Sequence, residues 1–414
     1  MRLPEFDLDA WIDILKTPTT GPKPLVSELN APELPMPNRI RVETDTLKLG
    51  NLDWDSVNFT ARRMADKWQY SVDSSQIKGS AEYDGKDLTA NLSQLQLYIS
   101  EPEKIVDDVA VVEEEEQPLI TEFDRDFFNK MPNVDLKIDD FWMQGYKVGS
   151  VDIVMKRDGN RMLWDKANFN SGTSSVEASG WWDLTDETSR SHVDIKAKGD
   201  DNSEIMARFG IDSGIQKAPF DVSSSLDWDG SPWNMRVNTL SGTMETEFGR
   251  GVITDVGGAA KLLGMFSLDS IIRRMQLDFT DVFDQGLAFN SIKGTGKLEK
   301  GIFVTNDIEM DSISGDLSIK GLANLNTQMV DAEVTFSPDL TSGLPMLTAF
   351  AVAPQTALYV LAISTVVAPV VEVITQVTYE VKGPMNSPQV REKSRRKGDY
   401  EIPNEYRKEA QAGK

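Results

Sequence analysis

Stretch after stretch of this chain alternates apolar and polar residues with a period of two, and that rhythm admits few folds. Leu95, Leu97 and Ile99 alternate with Gln94, Gln96 and Tyr98, and Val134, Leu136 and Ile138 with Asp135, Lys137 and Asp139. Val193, Ile195 and Ala197 repeat the pattern, as do Ala332, Val334 and Phe336 against Glu333, Thr335 and Ser337. A β-strand sends successive side chains to opposite faces, so each run predicts a strand with one apolar and one polar side. Between the runs stand Asp84-Gly85, Asp158-Gly159-Asn160, Asp229-Gly230 and Lys300-Gly301, which supply the positive-φ residues of tight hairpins. Together they predict a long antiparallel meander from about residue 39 to residue 381. Its apolar face either closes against another layer or leaves a groove, and periodicity by itself favours a closed sandwich.

Several segments leave this rhythm. Residues 9–15 suit a short helix, and Pro18, Pro22, Pro24, Pro32, Pro35 and Pro37 then make a connector, because proline lacks the amide a ladder needs. Residues 101–119 carry Glu113-Glu114-Glu115-Glu116, four adjacent carboxylates that repel one another and read as a solvated loop. Residues 203–209 suit a helix stopped by Gly210, and residues 256–275 gather Leu262, Leu263, Phe266, Ile271 and Ile272 on a helical face. No charged residue occurs between positions 340 and 371. A membrane-spanning helix needs about 20 consecutive apolar residues, and Pro345, Pro354 and Pro369 cut this run into shorter pieces. A broken helical hairpin over 344–371 fits better, with a basic tail behind it (Arg391, Lys393, Arg395, Arg396, Lys397).

The chemical inventory is sparse. A net charge of −23 repels phosphate backbones, so nucleic acid is not expected as a partner. The absence of cysteine removes disulfides, thiolate nucleophiles and cysteine metal sites. The single histidine, His192, heads a strand and reads as structural, because a general base needs partners held within hydrogen-bond reach. Phosphate-binding glycine loops, nucleophile elbows and paired metal-binding histidines are missing. With 66 acidic residues, any two-carboxylate motif is uninformative. The sequence therefore reads as non-enzymatic, with no catalytic residue, metal ligand or cofactor assigned.

A series of short motifs resembles a known family. Leu226-Asp227-Trp228-Asp229-Gly230-Ser231-Pro232-Trp233 is followed by Leu240-Ser241-Gly242 and Glu247-Phe248-Gly249-Arg250-Gly251. Lys261-Leu262-Leu263-Gly264-Met265-Phe266, Leu277-Asp278-Phe279-Thr280, Leu287-Ala288-Phe289-Asn290 and Ile319-Lys320-Gly321 continue the order, and the opening Leu3-Pro4-Glu5-Phe6-Asp7 fits too. This order is similar to the C-terminal part of YhdP-type, AsmA-like envelope proteins of the AsmA/TamB-like lipid-transport superfamily. The acidic stretch 101–119 departs from it and reads as an insertion.

The resemblance implies a mainly β fold: an elongated, twisted antiparallel sheet forming an open apolar groove, with a few short helices and a C-terminal helical hairpin. It implies a connector over 1–38, groove repeats over 39–202, an AsmA-like region over 203–382 and a disordered basic tail over 383–414. It further implies phospholipid transport between inner and outer membranes in the Gram-negative envelope, facing the periplasm, with any inner-membrane anchor and export signal upstream. On that reading Leu95, Leu97, Ile99, Val193, Ile195, Val334 and Phe336 line the lipid groove. Leu347, Phe350, Leu358, Tyr359, Val360, Leu361, Val366 and Val367 contact membrane. The competing reading is an envelope assembly factor that docks a partner protein through its apolar hairpin.

The charge-free segment has two possible places, inserted at a membrane interface or packed on the sheet as a lid. Substituting Val360→Asp together with Val367→Asp separates them. An interfacial hairpin loses vesicle association while the melting temperature holds, whereas a packed lid lowers the melting temperature by several degrees.

Overall fold

The computed structural model describes residues 2–8, 38–50, 52–98, 118–143, 145–203, 214–253, 287–312, 315–338, 370–385 and 387–401. The chain divides into two compact units, Met1–Glu187 and Thr188–Lys414. Both are mainly β, as the two-residue period requires.

In the first unit, β1 (Arg2–Asp7), β2 (Arg39–Leu49), β3 (Leu52–Met64), β4 (Lys67–Asp73) and β5 (Ile77–Tyr83) pair in chain order. The ladder continues through β6 (Asp87–Leu97), β7 (Asn133–Met143), β8 (Tyr146–Asp158), β9 (Arg161–Asn170) and β10 (Ser174–Leu184). The β1–β2 and β6–β7 pairings are parallel, so the sheet is mixed where an antiparallel one was expected. Connection length explains the difference. A parallel neighbour requires the chain to return to its starting end, and the long segments before β2 and β7 allow this where a tight hairpin cannot.

The second of those segments contains a helix not anticipated from sequence, α1 (Glu122–Lys130). Its start is a reciprocal capping box: Asp124 N donates to Thr121 Oγ1 (3.1 Å) and Thr121 N donates to Asp124 Oδ2 (2.7 Å). Arg157 Nη1 donates to the last-turn carbonyls of Phe128 (3.0 Å) and Asn129 (3.2 Å), which have no partner within the helix. Arg125 ties the outer side to Asp186 (3.1 Å). Phe128 meets the Trp182 ring edge-on at 5.3 Å, inside a buried cluster with Met162 and Leu184. Thr121 followed at three residues by Asp124, with Phe123 and Phe127 four apart, was the available signal.

The second unit comprises β11 (Ser189–Gly199), β12 (Ile215–Gln216), β13 (Phe220–Asp229), β14 (Ser241–Phe248), β15 (Gly251–Ile253) and β16 (Leu287–Glu299). It continues with β17 (Ile302–Ser312), β18 (Gly315–Asn324), β19 (Met329–Pro338), β20 (Val370–Pro384) and β21 (Gln389–Glu401). The order is β11-β13-β14-β16-β17-β18-β19-β20-β21, antiparallel throughout, with the short pair β12–β15 also lying on β16. In the stretch read as a disordered tail from 383, Gly383 and Pro384 end β20, and Gln389–Glu401 form a strand paired with β20. Its charge is accommodated by ion pairs, Lys393 with Glu333 and Arg395 with Glu392. A Lys- and Arg-rich strand suits a sheet edge because charge there opposes further strand addition. The expected helices at 9–15 and 256–275, residues 204–209 of the helix expected at 203–209, the acidic run 101–117 and hairpin residues 344–369 lie outside the described residues; residues 370 and 371 begin β20.

Trp182, fully buried beneath α1, is the packing anchor of the first unit. Trp182→Ala is expected to cost about 3–5 kcal/mol in urea unfolding. Phe123→Ala, at a ring that is 61% exposed on the same helix, should change stability by no more than about 0.5 kcal/mol.

Candidate functional site

Strand registers of the first unit line up apolar residues in rows across the sheet. One row runs Val42, Phe59, Val72, Gly79, Leu92, Ile138, Val151, Phe169, Val176, each opposite the next on the neighbouring strand. A second row beside it runs Ile40, Ala61, Tyr70, Ala81, Ala90, Leu136, Ile153, Ala167, Ala178. Neither row contains a polar heteroatom other than the Tyr70 hydroxyl. Neighbouring strands lie about 4.8 Å apart, so nine strands carry each row roughly 40 Å.

This face is only partly withdrawn from water. Ala61, Ile138 and Val151 are buried, but Phe59, Trp68, Tyr70, Val72, Ile77, Tyr83, Leu92 and Leu136 are half-buried and keep accessible surface. The reverse face of β4 and β5 is exposed and polar, with Gln69 donating to Glu82 (3.0 Å) and Lys78 near Asp73 (3.7 Å). Aromatic rings stack along the apolar side, Phe59 on Tyr70 at 6.2 Å and Trp68 on Tyr70 at 6.4 Å. Burial, with a smaller contribution from Tyr83, pushes the Tyr70 phenol above its ordinary range.

One irregularity keeps the face continuous. On β6, Leu88, Ala90 and Leu92 have the opposite parity to Leu95 and Leu97, so a regular strand would send the two groups to opposite sides. The register shifts at this point: Lys78 faces Gln94 while Gly79 faces Leu92, leaving Ser93 as an extra residue. Gly79 sits at φ 155°, and a Cβ there would lie 2.3 Å from the Asn91 carbonyl oxygen. Beyond the bulge Leu95 faces Ile77 on one side and Phe141 on the other, and Leu97 faces Met143. Both therefore join the apolar face, half-buried. Ile99 lies outside the described residues.

In the second unit the corresponding stripe is closed. Phe220, Phe248, Ile292, Met310, Leu317, Phe336 and Val377 form a row by register. Val334 and Phe336 are 1% and 3% exposed within one core cluster that also holds Ile319, Tyr379 and Val381. Val193 and Ile195, on β11, are half-buried, opposite Leu226 and Ser224. The sequence-predicted groove residues thus fall into different settings: Leu95 and Leu97 on an accessible face, Val334 and Phe336 in a sealed one. The hairpin residues Leu347, Phe350, Leu358, Tyr359, Val360, Leu361, Val366 and Val367 lie outside the described residues. Sequence reading passed over Trp68, Tyr70, Val72, Ile77, Ala81 and Tyr83, although KWQYSVD and IKGSAEY alternate as cleanly as the runs it used.

His192 lies between Asp194 (3.2 Å) and Asp227 (3.3 Å), and the Ser225 hydroxyl, then His192, hold the Asp194 carboxyl below the usual carboxylate range. Among the described residues no cluster of His, Asp and Glu converges as a metal site, and no helix is long and apolar enough to cross a membrane.

The profile of the family described as "YhdP protein" matches residues 1–390. The chain belongs to the YhdP family. It is 26% identical over 359 residues to the intermembrane phospholipid transporter YhdP of Escherichia coli (strain K12). That alignment covers 86% of this chain and 28% of the relative, so the chain spans under a third of that YhdP protein's length. No solved structure matches the chain significantly.

The sealed core of this YhdP-family chain has a titratable member. Burial, then the Glu392 carboxylate, pushes the Tyr379 phenol up to about 12, with Arg395 acting in the opposite sense. A phenol whose folded pKa lies above its unfolded value of about 10 binds its proton more tightly when folded, so stability falls as pH rises from about 10 to about 12. Tyr379→Phe should flatten that alkaline limb, read as melting temperature against pH.

Proposed function

We propose that the half-buried apolar face spanning β2–β10 holds phospholipid acyl chains and conducts them between the inner and outer membranes of a Gram-negative envelope. The carrying observation is the pair of uninterrupted apolar rows across nine strands, accessible along much of their length and backed by a polar outer face. An ordinary sheet core would be expected to seal such a face, as the second unit seals its own. A hydrocarbon chain needs contact and exclusion of water rather than hydrogen bonds, and rows of Val, Leu, Ile, Phe and Ala provide both. The headgroup stays in water at the open side. The process needs no reacting group or cofactor, in keeping with the sparse chemical inventory. The relative's name as an intermembrane phospholipid transporter supports the same reading.

Photo-crosslinking amino acids at Tyr70, Val72 and Leu95 should capture phospholipid in cells several-fold more than the same groups at Gln69, Ser80 and Glu82. Equal labelling of the two faces, by mass spectrometry of the adducts, would mean that the apolar rows do not carry lipid.

A further inference from the structure

In the second unit, every large apolar side chain that stands exposed among the described residues lies at one end of the sheet. Trp233 (49% exposed), Met235 (46%) and Val237 (37%) occupy the β13–β14 connection. Val304 and Leu322, each 40% exposed and opposite one another, lie within three residues of the ends of β17 and β18. Met329, 42% exposed, opens β19.

These positions belong to one rim because hydrogen bonds join the connections in sequence. Gly301 N donates to Leu240 O (2.8 Å), Leu325 N to Gly301 O (2.9 Å) and Met385 N to Gln328 O (2.8 Å). Asn326 Nδ2 adds a bond to Lys300 O (2.9 Å). The Trp233 loop is itself held rigid. The Trp228 indole donates to Ser231 O (3.1 Å), Asp229 N donates to Thr239 Oγ1 (2.9 Å), and Trp228 and Leu240 are buried in a core cluster. The backbone thus holds Trp233, Met235 and Val237 in the solvent although buried neighbours lie on either side of them.

We propose that this rim is a membrane-docking edge whose occupant is the interfacial region of a phospholipid bilayer. Arg236 stands between Met235 and Val237, and Lys300 in the adjoining turn, so cationic side chains interleave with the apolar ones in a chain of net charge −23. A protein interface concentrates its apolar residues in a core depleted of lysine. Single apolar side chains strung along turns, with Trp among them and Arg and Lys between, suit shallow insertion instead. The rings and thioethers enter the headgroup–acyl boundary while the cations reach lipid phosphates. β19 and β20 meet the rim at Met329 and Pro384, whereas the chain leaves β19 at Pro338 and enters β20 at Val370, at the other ends of the two strands. The choice of a bilayer over a protein rests on the phospholipid-transport reading above, and the edge adds where the chain would meet its lipid source or sink.

The test is flotation of the full chain with vesicles of phosphatidylethanolamine and phosphatidylglycerol at a 3:1 ratio. Trp233→Ser combined with Met235→Ser, both exposed, should keep the melting temperature and lower the vesicle-bound fraction at least about ten-fold. Leu49→Ser combined with Met64→Ser, exposed apolar residues of the first unit outside both apolar rows, should leave it unchanged. No binding by the unaltered chain, equal loss in both pairs, or a concentration-dependent dimer abolished by the rim substitutions would each overturn the proposal. Phospholipid copurifying with the chain is read in parallel. Its absence alongside retained rim-dependent flotation would count against acyl-chain transport and leave the docking edge standing.

Discussion

A β-ladder sends successive side chains to opposite faces, so one residue inserted or skipped in a strand turns its apolar set towards water. Both units depend on meeting that constraint from strand to strand. The critical case is β6, whose apolar residues change parity between Leu92 and Leu95. The extra residue at Ser93 absorbs the change, and the partner strand meets it with Gly79, where no other residue leaves room for the Asn91 carbonyl. The neighbouring β7 shifts as well, between Ile138 and Phe141, so that Phe141 stays in line with Leu95. Such bulges are features the fold requires, because without them the apolar rows would end halfway along the strands.

The same pattern leads to different outcomes in the two units. In the second unit close-fitting pieces complete the seal: a Cβ at Gly296 would lie 2.0 Å from the Phe303 ring, so the aromatic ring covers the position a side chain would otherwise hold. In the first unit rings such as Tyr70 and Trp68 stack along the face and remain partly open to water. Leaving apolar area exposed forgoes about 25 cal/mol for each Å² not buried. A fold tolerates that cost where something else is to occupy the surface. The helix α1 covers one part of it, over Met162 and Trp182, latched by Arg157 and Arg125.

Much of the architecture was legible along the chain. The alternations at 95–99, 134–138, 193–197 and 332–336 are local properties, and each fell in or beside a strand as read. What escaped was non-local or lay in less apolar text. Residues 389–401 look like a solvated basic tail until β20 offers them a ladder and Glu333 and Glu392 offer them partners. The parallel β6–β7 pairing depends on where a long connection returns, which no period in the sequence encodes. α1 was hidden because its capping box and paired phenylalanines follow an acidic run that reads as loop.

The sequence by itself determined that this is a β protein whose strands alternate an apolar and a polar side. Its ordered motifs also carried the family resemblance. Periodicity, turn residues and composition are written residue by residue, so they need no knowledge of neighbours in space. Whether an apolar side is core or binding surface was decided only by the tertiary structure. Leu97 and Val334 sit in equally regular alternations, yet one keeps accessible surface and the other is sealed at 1% exposure. The difference lies in what packs over each strand, and burial is a property of the assembled layers rather than of the strand that contributes the side chain.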